Sequence, residues 1–328
     1  MRLGGTARYL VEIHDRNELT DALAWAQARQ LPVIMIGGGS NIYWQDAGFD
    51  GLVMVNRILK YEAFDEDELN TYITVGAGED WDSVVERSVQ AGLTGIEALS
   101  LIPGTAGGTP IQNVGAYGQR ISRVLTTIEA YDTKIKDFVT LRGSDCQFGY
   151  RTSRFKAADK GRFYITAITL HLTHSNPEPP FYDALQQYFD EHAIHDWTPA
   201  AVRDAVIAIR SSKLPDPAVV ANNGSFFANP IINESEAIQL QSDFPDLPYW
   251  PADEGLVKIP AAWLIEHVGL KDFHDPETGM ATWKNHALVL VNEHAHGTAD
   301  LLKFKQKIVD AVQAKFHITL VQEPELLP

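Results

Sequence analysis

Apolar positions in the first part of the chain follow two different periods. Short apolar runs predict strands at residues 7–13, 31–36 and 52–58. Between the first two, Asp15 and Glu18 resemble a helix-capping box and open a helix-period pattern that continues to about Gln30. This order predicts a strand, a helix, a strand and then a glycine loop, a unit common to many α/β folds. The acidic stretch 62–68 predicts a solvated connection, so we expect a boundary near residue 60.

The middle of the chain changes from a helix pattern to consecutive strands. A strand is predicted at 71–75, followed by a helix at 80–91 that ends at Gly92. Strands are then predicted at 124–131, 138–141 and 163–172. Because no helix pattern separates these three strands, we expect an antiparallel portion of sheet and an α+β fold.

The last third alternates again between helices and strands. Helices are predicted at 201–210, 261–268 and 298–315, and strands at 287–292 and 318–321. Residues 211–225 are predicted to form a loop. In the long final helix an apolar stripe runs from Leu302 to Phe316, which predicts one buried face.

Composition and charge narrow the class of protein. The 328 residues fit two or three domains at about 150 residues each. With 45% apolar and 21% charged residues, the chain is ordinary globular protein, which excludes disordered, collagen-like and disulfide-scaffold classes. The net charge of −16 opposes broad binding to nucleic acid or anionic membranes, so local cations must hold any anionic ligand. Cys146 is the single cysteine, and no signal core or membrane span is found, so we expect a cytoplasmic location.

Two glycine-rich loops are candidates for phosphate binding. The first loop, 37–41, lacks the third glycine of G-x-G-x-x-G because Ile42 stands there, which disfavours a Rossmann dehydrogenase. The second loop, 103–118, holds five glycines in sixteen residues, and their backbone N–H groups can surround a pyrophosphate without cationic side chains. The first loop alone is more typical of a tight turn, whereas the second has the composition of a binding loop. Together they predict a dinucleotide held between two lobes.

Three further segments concentrate polar chemistry. Residues 148–156 place three cations among aromatic residues, and segments 212–217 and 223–230 combine rigid turns with a lysine, a hydroxyl and an amide. On spacing alone each segment is also typical of a surface loop. A G-x-S-x-G hydrolase motif is missing, and the pairs His294/His296 and His192/His195 lack a ligand pattern, so we predict no metal site.

The order of these motifs resembles the UDP-N-acetylenolpyruvoylglucosamine reductase (MurB) family from one end of the chain to the other. The matching segments are Gly37-Gly38-Gly39-Ser40-Asn41, Ile102-Pro103-Gly104 through Gln112-Asn113-Val114-Gly115-Ala116-Tyr117-Gly118, Phe148-Gly149-Tyr150-Arg151, Lys213-Leu214-Pro215-Asp216-Pro217, Gly224-Ser225-Phe226-Phe227, Ala287-Leu288-Val289-Leu290-Val291-Asn292 and Glu323-Pro324-Glu325. Residues 181–185 and the Lys213 loop resemble the longer type of the family, which carries a tyrosine loop over the substrate.

The resemblance implies an α+β fold with a FAD-binding fold of the vanillyl-alcohol-oxidase (PCMH) type in two lobes and a C-terminal α+β substrate-binding domain. We expect lobe 1 at 1–59, joined by the tail 322–328, lobe 2 at 60–205 and the UDP-sugar domain at 206–321. The resemblance also implies which residues bind FAD, non-covalently: Gly37, Gly38, Gly39, Ser40, Asn41, Pro103, Gly104, Gly107, Gly108, Gln112, Asn113, Gly115, Ala116, Tyr117 and Gly118.

The implied activity is an NADPH-dependent reduction in peptidoglycan precursor synthesis. NADPH gives hydride to FAD, and reduced flavin gives hydride to C3 of UDP-N-acetylenolpyruvylglucosamine, forming UDP-N-acetylmuramate. Such an addition needs charge stabilisation and a proton at C2. The resemblance assigns charge stabilisation to Arg151, proton donation to Ser225 and a partner role to Glu325.

Substrate contacts are implied for Tyr182, Lys213 and Asn229, and for His286, which stands where a relative has glutamine. The expected partners are UDP-N-acetylenolpyruvylglucosamine and NADPH, without nucleic acid or membrane, and we expect a monomer. The family carries a further stretch before Arg2, and we expect its absence to weaken FAD retention.

Two alternatives remain open at this stage. The chain could be another PCMH-type FAD oxidoreductase, such as a sugar or alcohol oxidase, or a flavin- or UDP-sugar-binding module without turnover. The set of Arg151, Ser225 and Glu325 argues against both.

Overall fold

The computed structural model describes all residues from 1 to 328 and divides the chain into two compact units. The N-terminal unit comprises Ala7–Gly39 and Asp50–Arg210. The C-terminal unit comprises Met1–Thr6, Ser40–Phe49 and Ser211–Pro328, so it is built from three separate stretches of chain.

Seven α-helices and nineteen strands, many of them short, make up the regular structure. The helices are α1 (Arg16–Ala28), α2 (Trp81–Gln90), α3 (Asp183–Glu191), α4 (Pro199–Lys213), α5 (Glu234–Asp243), α6 (Ala261–His267) and α7 (Thr298–Phe316). The strands are β1 (Ala7–Ile13), β2 (Val33–Ile36), β3 (Ile42–Trp44), β4 (Phe49–Asn56), β5 (Tyr61–Asp65), β6 (Asn70–Gly76), β7 (Gly115–Ala116), β8 (Gln119–Arg120), β9 (Leu125–Asp132), β10 (Asp137–Arg142), β11 (Phe163–Thr173), β12 (Ala221–Ser225), β13 (Ile231–Asn233), β14 (Trp250–Pro251), β15 (Leu256–Lys258), β16 (His274–Asp275), β17 (Met280–Trp283), β18 (His286–Asn292) and β19 (Glu325–Leu327).

The N-terminal unit contains two larger sheets. A three-stranded sheet has the order β1-β4-β2, with β2 parallel to β4, and its core includes Leu19 and Ala26 of α1. A five-stranded antiparallel sheet has the order β10-β9-β11-β6-β5, and α2 buries Trp81, Val84 and Val85 in its core. The predicted antiparallel region at 124–172 is therefore confirmed.

The C-terminal unit has a four-stranded antiparallel sheet, in the order β12-β18-β17-β16, beside α6 and α7. The buried residues of α7 recur at helical spacing, as predicted, except that Leu301 is buried where the predicted stripe has Leu302, which is partly buried. They are Thr298, Leu301, Phe304, Ile308, Val312 and Phe316. Most of them share a core with Phe226 and Phe227, which directly follow β12.

A helix cap confirms part of one sequence prediction. The Asp15 carboxylate accepts hydrogen bonds from the backbone N–H groups of Asn17 and Glu18, at 2.7 and 2.9 Å. In a capping box the Glu18 carboxylate would accept from the N–H of Asp15. It accepts instead from the N–H of the preceding residue, His14, at 2.7 Å.

Three segments differ from the expectation. Residues 62–68 were expected to be a solvated connection, but β5 begins at Tyr61 and is the edge strand beside β6. Residues 62–65 are exposed, Phe64 included, so the segment is in contact with solvent as expected although it forms an edge strand. Residues 211–225 were expected to be a loop, but α4 continues to Lys213 and β12 pairs with β18. The local sequence Asn-Asn-Gly disfavours a strand, so pairing with an apolar neighbour overrides propensity here.

The expected final strand at 318–321 is also wrong. Ile318 and Leu320 are buried, but the regular pairing occurs later, where β19 runs parallel to β3. Helices α3 and α5 were not predicted at all.

We expect Asp46→Ala to destabilise the C-terminal unit by about 1 kcal/mol. Gly297 precedes α7 and has no side chain, so the Asp46 carboxylate accepts from the N–H groups of Thr298 and Ala299, at 2.7 and 3.1 Å. These donors hold the pKa of Asp46 below its usual value, so the stabilisation is present at neutral pH and is lost as pH falls.

Urea unfolding at neutral and acidic pH measures this difference. Asp50→Ala is the control, because Asp50 is exposed and pairs only with exposed Arg8; its change should stay within about 0.5 kcal/mol. Equal losses in the two variants would refute the capping role.

Candidate functional site

In the N-terminal unit, the glycines of the first loop contact the second of the two loops predicted to bind a dinucleotide. A Cβ atom built on Gly38 would lie 3.2 Å from the Cα of Gly104, and one built on Gly37 would clash with the side chain of Thr105. The backbones therefore approach more closely than side chains allow. Gly39 has a φ of +69° and open space where a Cβ would stand.

The second loop is anchored to the end of β6 and the start of α2. The N–H groups of Ala106 and Gly107 donate to the carbonyls of Glu79 and Ala77, both at 2.9 Å. Gly107 lies directly against Ala77, so a side chain there would displace the loop. Fixed in this way, the loop offers a rigid backbone surface.

A buried carboxyl group, which sequence reasoning missed, supports the end of this loop. Glu97 is 1% exposed and accepts from the N–H of Gly95 at 2.6 Å and from the Gln119 amide at 2.8 Å. Gln119 in turn accepts from the N–H of Ala98, also at 2.8 Å. Burial raises the pKa of Glu97 above its ordinary value. These bonds attach the β7–β8 hairpin, which contains Tyr117 and Gly118, to the segment before it.

Arg151 lies at the tip of a tight turn. Gly149 and Thr152 pair across it, and Arg151 has a φ of +53°, which is uncommon for a residue other than glycine. Two side chains hold the turn against the second glycine loop: the Asn113 amide donates to Gly149 O at 3.0 Å, and the Ser153 hydroxyl donates to Ile111 O at 2.6 Å. The predicted catalytic cation and the predicted flavin loop are thus neighbours.

The other arginine of the predicted cationic cluster has a structural role. Arg154 pairs with Asp159 at 2.7 Å, and Asp159 also pairs with Arg162. These arginines lower the pKa of Asp159. Arg154 therefore belongs to a structural ion-pair network.

Tyr182 precedes α3 and is 46% exposed. Its ring packs edge-on against Tyr117 at 5.8 Å between centroids. Burial raises the pKa of both phenols, so both stay protonated at neutral pH. The implied substrate tyrosine therefore contacts the implied flavin loop.

Ser225 ends β12 in the C-terminal unit. It lies opposite Val289 of β18, and the next residue, Phe226, donates its N–H to Leu288 O at 2.7 Å. Asn222 connects β12 to the loop after α4, because its amide donates to the carbonyls of Pro215 and Val220, at 3.4 and 2.8 Å. The Lys213 loop and the Ser225 strand are thus held together, which their distance in sequence could not show.

Glu325 begins β19, and the tail reaches the Ser225 segment from the other side. Glu323 donates its N–H to Phe226 O at 2.8 Å, and Glu325 donates its N–H to Asn41 O at 3.0 Å. The Asn223 amide also donates to the carbonyls of Ser40 and Ile42, at 2.9 and 3.0 Å. The C-terminal unit therefore places three segments next to one another: the one with Ser40 and Asn41, the one with Ser225 and the one with Glu325.

The remaining predicted substrate residues lie elsewhere in the C-terminal unit. Lys213 is exposed at the end of α4, and His286 begins β18. Asn229 accepts the N–H of Ala261 at 3.0 Å and so caps α6. This bond gives Asn229 a structural role that sequence reasoning missed.

The paired glycine loops fit the FAD implied by the resemblance. A dinucleotide needs a backbone surface that side chains do not block, and the close approach of Gly38 to Gly104 provides such a surface. No group of three or more metal-ligating side chains is assembled, and no helix is both long and apolar enough to cross a bilayer.

Comparison with known proteins shows the class and then the family. A family model described as FAD binding domain matches residues 7–134, and a model described as UDP-N-acetylenolpyruvoylglucosamine reductase, C-terminal domain, matches residues 216–327. The crystal structure of UDP-N-acetylenolpyruvylglucosamine reductase from Thermus caldophilus has the same fold, with a TM-score of 0.64 at 22% identity over 97% of this chain and 92% of the other.

These matches confirm the predicted fold class, a PCMH-type FAD-binding fold followed by a reductase C-terminal domain. The UDP-N-acetylenolpyruvoylglucosamine reductase of Cupriavidus pinatubonensis is 40% identical over 98% of this chain and 94% of its own length. The reductase of Neisseria gonorrhoeae is 39% identical over 99% and 94%. The chain belongs to the UDP-N-acetylenolpyruvoylglucosamine reductase family.

We expect Gly39→Ala to lower flavin affinity about tenfold, because its Cβ would enter the open space beside the paired loops. Gly161→Ala is a matched control: Gly161 has a φ of +75° and equally open surroundings, so both variants carry the same backbone strain. Flavin content and titration with FAD measure the effect. Equal affinities in the two variants would exclude Gly39 from the cofactor site.

Proposed function

We propose that this chain reduces UDP-N-acetylenolpyruvylglucosamine to UDP-N-acetylmuramate with NADPH, as a FAD-dependent enzyme of peptidoglycan precursor synthesis. The observation that supports this proposal most strongly is the hydrogen-bonded assembly of the Ser225 strand and the Glu325 strand, in a chain 40% identical to a named reductase. Bound FAD would supply hydride transfer from NADPH to C3 of the enolpyruvyl group.

During that transfer, residues of the chain would stabilise the negative charge that develops on the substrate and would donate a proton to it. Hydride addition at C3 moves electrons toward C2 and the carboxylate, and we assign the stabilisation of this charge to Arg151. A guanidinium keeps its charge and can donate two parallel hydrogen bonds to a carboxylate. The fixed turn that holds Arg151 supports this role, because a preorganised cation loses little on binding.

We assign the proton for C2 to the Ser225 hydroxyl. A serine hydroxyl is a weak acid, so it needs a neighbour that orients and polarises it, and we assign this role to Glu325. Hydride and proton together reduce the double bond by two electrons.

The substrate diphosphate needs local positive charge in a chain with a net charge of −16. We assign this charge to Lys213, and substrate contacts to Tyr182, Asn229 and His286. The flavin contacts are assigned to the fifteen loop residues named from the sequence.

We further propose a cytoplasmic monomer without nucleic-acid or membrane partners. The single cysteine, Cys146, is buried, which suits a reducing compartment, and the net negative charge disfavours polyanions.

The activity is tested by anaerobic spectroscopy of the purified holoenzyme. NADPH should bleach the flavin absorption, and UDP-N-acetylenolpyruvylglucosamine should restore it. Restoration by oxygen but not by this substrate would favour a different PCMH-type oxidoreductase. A protein that binds flavin but is never reduced would be a binding module.

Ser225→Ala should leave flavin reduction by NADPH within about twofold and slow reoxidation by substrate about 10²–10⁴-fold, the usual range for a lost general acid. Stopped-flow absorbance separates the two half-reactions. Ser242→Ala is the control, because Ser242 is exposed on α5 in the same unit. Normal reoxidation in Ser225→Ala would remove Ser225 from proton transfer.

A further inference from the structure

We propose that Asn223 is a positioning residue that sets the spacing between the Ser225 strand and the Glu325 strand. This inference rests on the proposed function for its kinetic consequence, but its geometry can be tested separately. Asn223 lies two residues before Ser225 and is 8% exposed. It was not among the residues predicted to act in the site.

The backbone of residues 40–42 forms a spacer with hydrogen bonds on both edges. On one edge, Asn223 Nδ2 donates to Ser40 O at 2.9 Å and to Ile42 O at 3.0 Å. On the other edge, Asn41 O accepts the N–H of Glu325 at 3.0 Å, and Ile42 is the register partner of Glu325. Ser40 and Asn41 form the turn that leads into β3, and the three carbonyls of residues 40–42 are divided between two partners, so Asn223 and Glu325 both hold this short segment.

The chemistry of the two acceptors fixes the orientation of the Asn223 amide. Both facing groups are carbonyl oxygens, so only the NH₂ end can satisfy them. Asn223 Oδ1 is consequently buried without a hydrogen-bond partner. The Asn223 amide therefore directs both of its hydrogen-bond donors at residues 40–42.

Movement of Asn223 would reach Ser225 directly. The pairing of β12 with β18 shifts register between Asn222 and Ser225, and Gly224 within this bulge has a φ of +69°. The Asn222 side chain accepts the N–H of Gly224 at 2.8 Å, which fixes the inner side of the bulge. Asn223 is the residue of the bulge that is tied to the spacer, so its two bonds locate Ser225 relative to Glu325.

The test compares three substitutions of Asn223 in the holoenzyme. Asn223→Ala removes the donors, Asn223→Leu removes them but keeps most of the volume, and Asn223→Asp keeps the shape but points acceptors at two carbonyls. If the donors matter, the rate of flavin reoxidation by substrate should fall 10- to 100-fold in Asn223→Ala and Asn223→Leu, and further in Asn223→Asp. The rate of flavin reduction by NADPH should stay within twofold of the parent chain in all three variants. A packing role predicts the reverse order, with Asp closest to the parent chain.

Amide hydrogen exchange gives a readout that does not depend on catalysis. The Glu325 N–H should exchange at least tenfold faster in Asn223→Ala and Asn223→Leu, because its acceptor segment is held on one edge only. Asn292→Ala is the matched control: Asn292 lies on β18 and bonds Met1 O at 3.0 Å, so it loses similar bonds without touching the spacer.

The outcomes separate the inference from the function. If the Glu325 N–H exchanges faster in Asn223→Ala and Asn223→Leu but the parent chain is not reoxidised by UDP-N-acetylenolpyruvylglucosamine, the proposed function fails and the spacer role is supported. The positioning role would be overturned if the Glu325 N–H exchanged at an unchanged rate in Asn223→Ala and Asn223→Leu. It would also be overturned if Asn223→Asp were reoxidised by substrate as fast as the parent chain.

Discussion

The parallel pairing of β3 with β19 is the constraint on which the C-terminal unit depends. Ile42–Trp44 and Glu325–Leu327 come from distant parts of the chain, and their register places Glu325 opposite Ile42. The same stretch receives the Asn223 amide, and its next residues supply Asp46 to cap α7. Tyr43 adds a hydrogen bond from its hydroxyl to Gln322, at 3.0 Å. Residues 40–46 are therefore hydrogen-bonded to β12, to β19 and to the start of α7, the longest helix.

The N-terminal unit contains the close contact of the glycine-rich loops, which fit an anionic dinucleotide although the chain as a whole is acidic. Side-chain cations are scarce, with 27 Lys and Arg against 43 Asp and Glu. Backbone N–H groups carry no net charge, yet they can stabilise phosphate where glycine lets two chain segments approach. The contact between Gly38 and Gly104 is such an approach. The buried Glu97 fixes the β7–β8 end of the second loop through hydrogen bonds to Gly95 and Gln119.

Sequence reasoning succeeded where a single local signal decides the structure. The apolar stripe of α7 and the apolar run of β18 identify those elements because burial dominates them. It failed at β12, where Asn222, Asn223 and Gly224 have poor strand propensity and the pairing comes from a distant strand. Motif order predicted the site residues, but no pattern in one sequence shows that Asn223 faces two carbonyls. A glutamate within a mostly apolar stretch, such as Glu97, is a weak signal that could have been followed.

The discontinuous C-terminal unit has a consequence for folding during synthesis. Residues 40–49 leave the ribosome early, but their partners in β19 are made last. At roughly ten residues per second, about half a minute passes between the synthesis of β3 and that of β19, and during this time β3 lacks its partner strand. The stretches Ala7–Gly39 and Asp50–Arg210 are complete well before that time. A nascent chain therefore passes through a stage in which one unit can be folded while an unpaired strand edge remains open to chaperones or to aggregation.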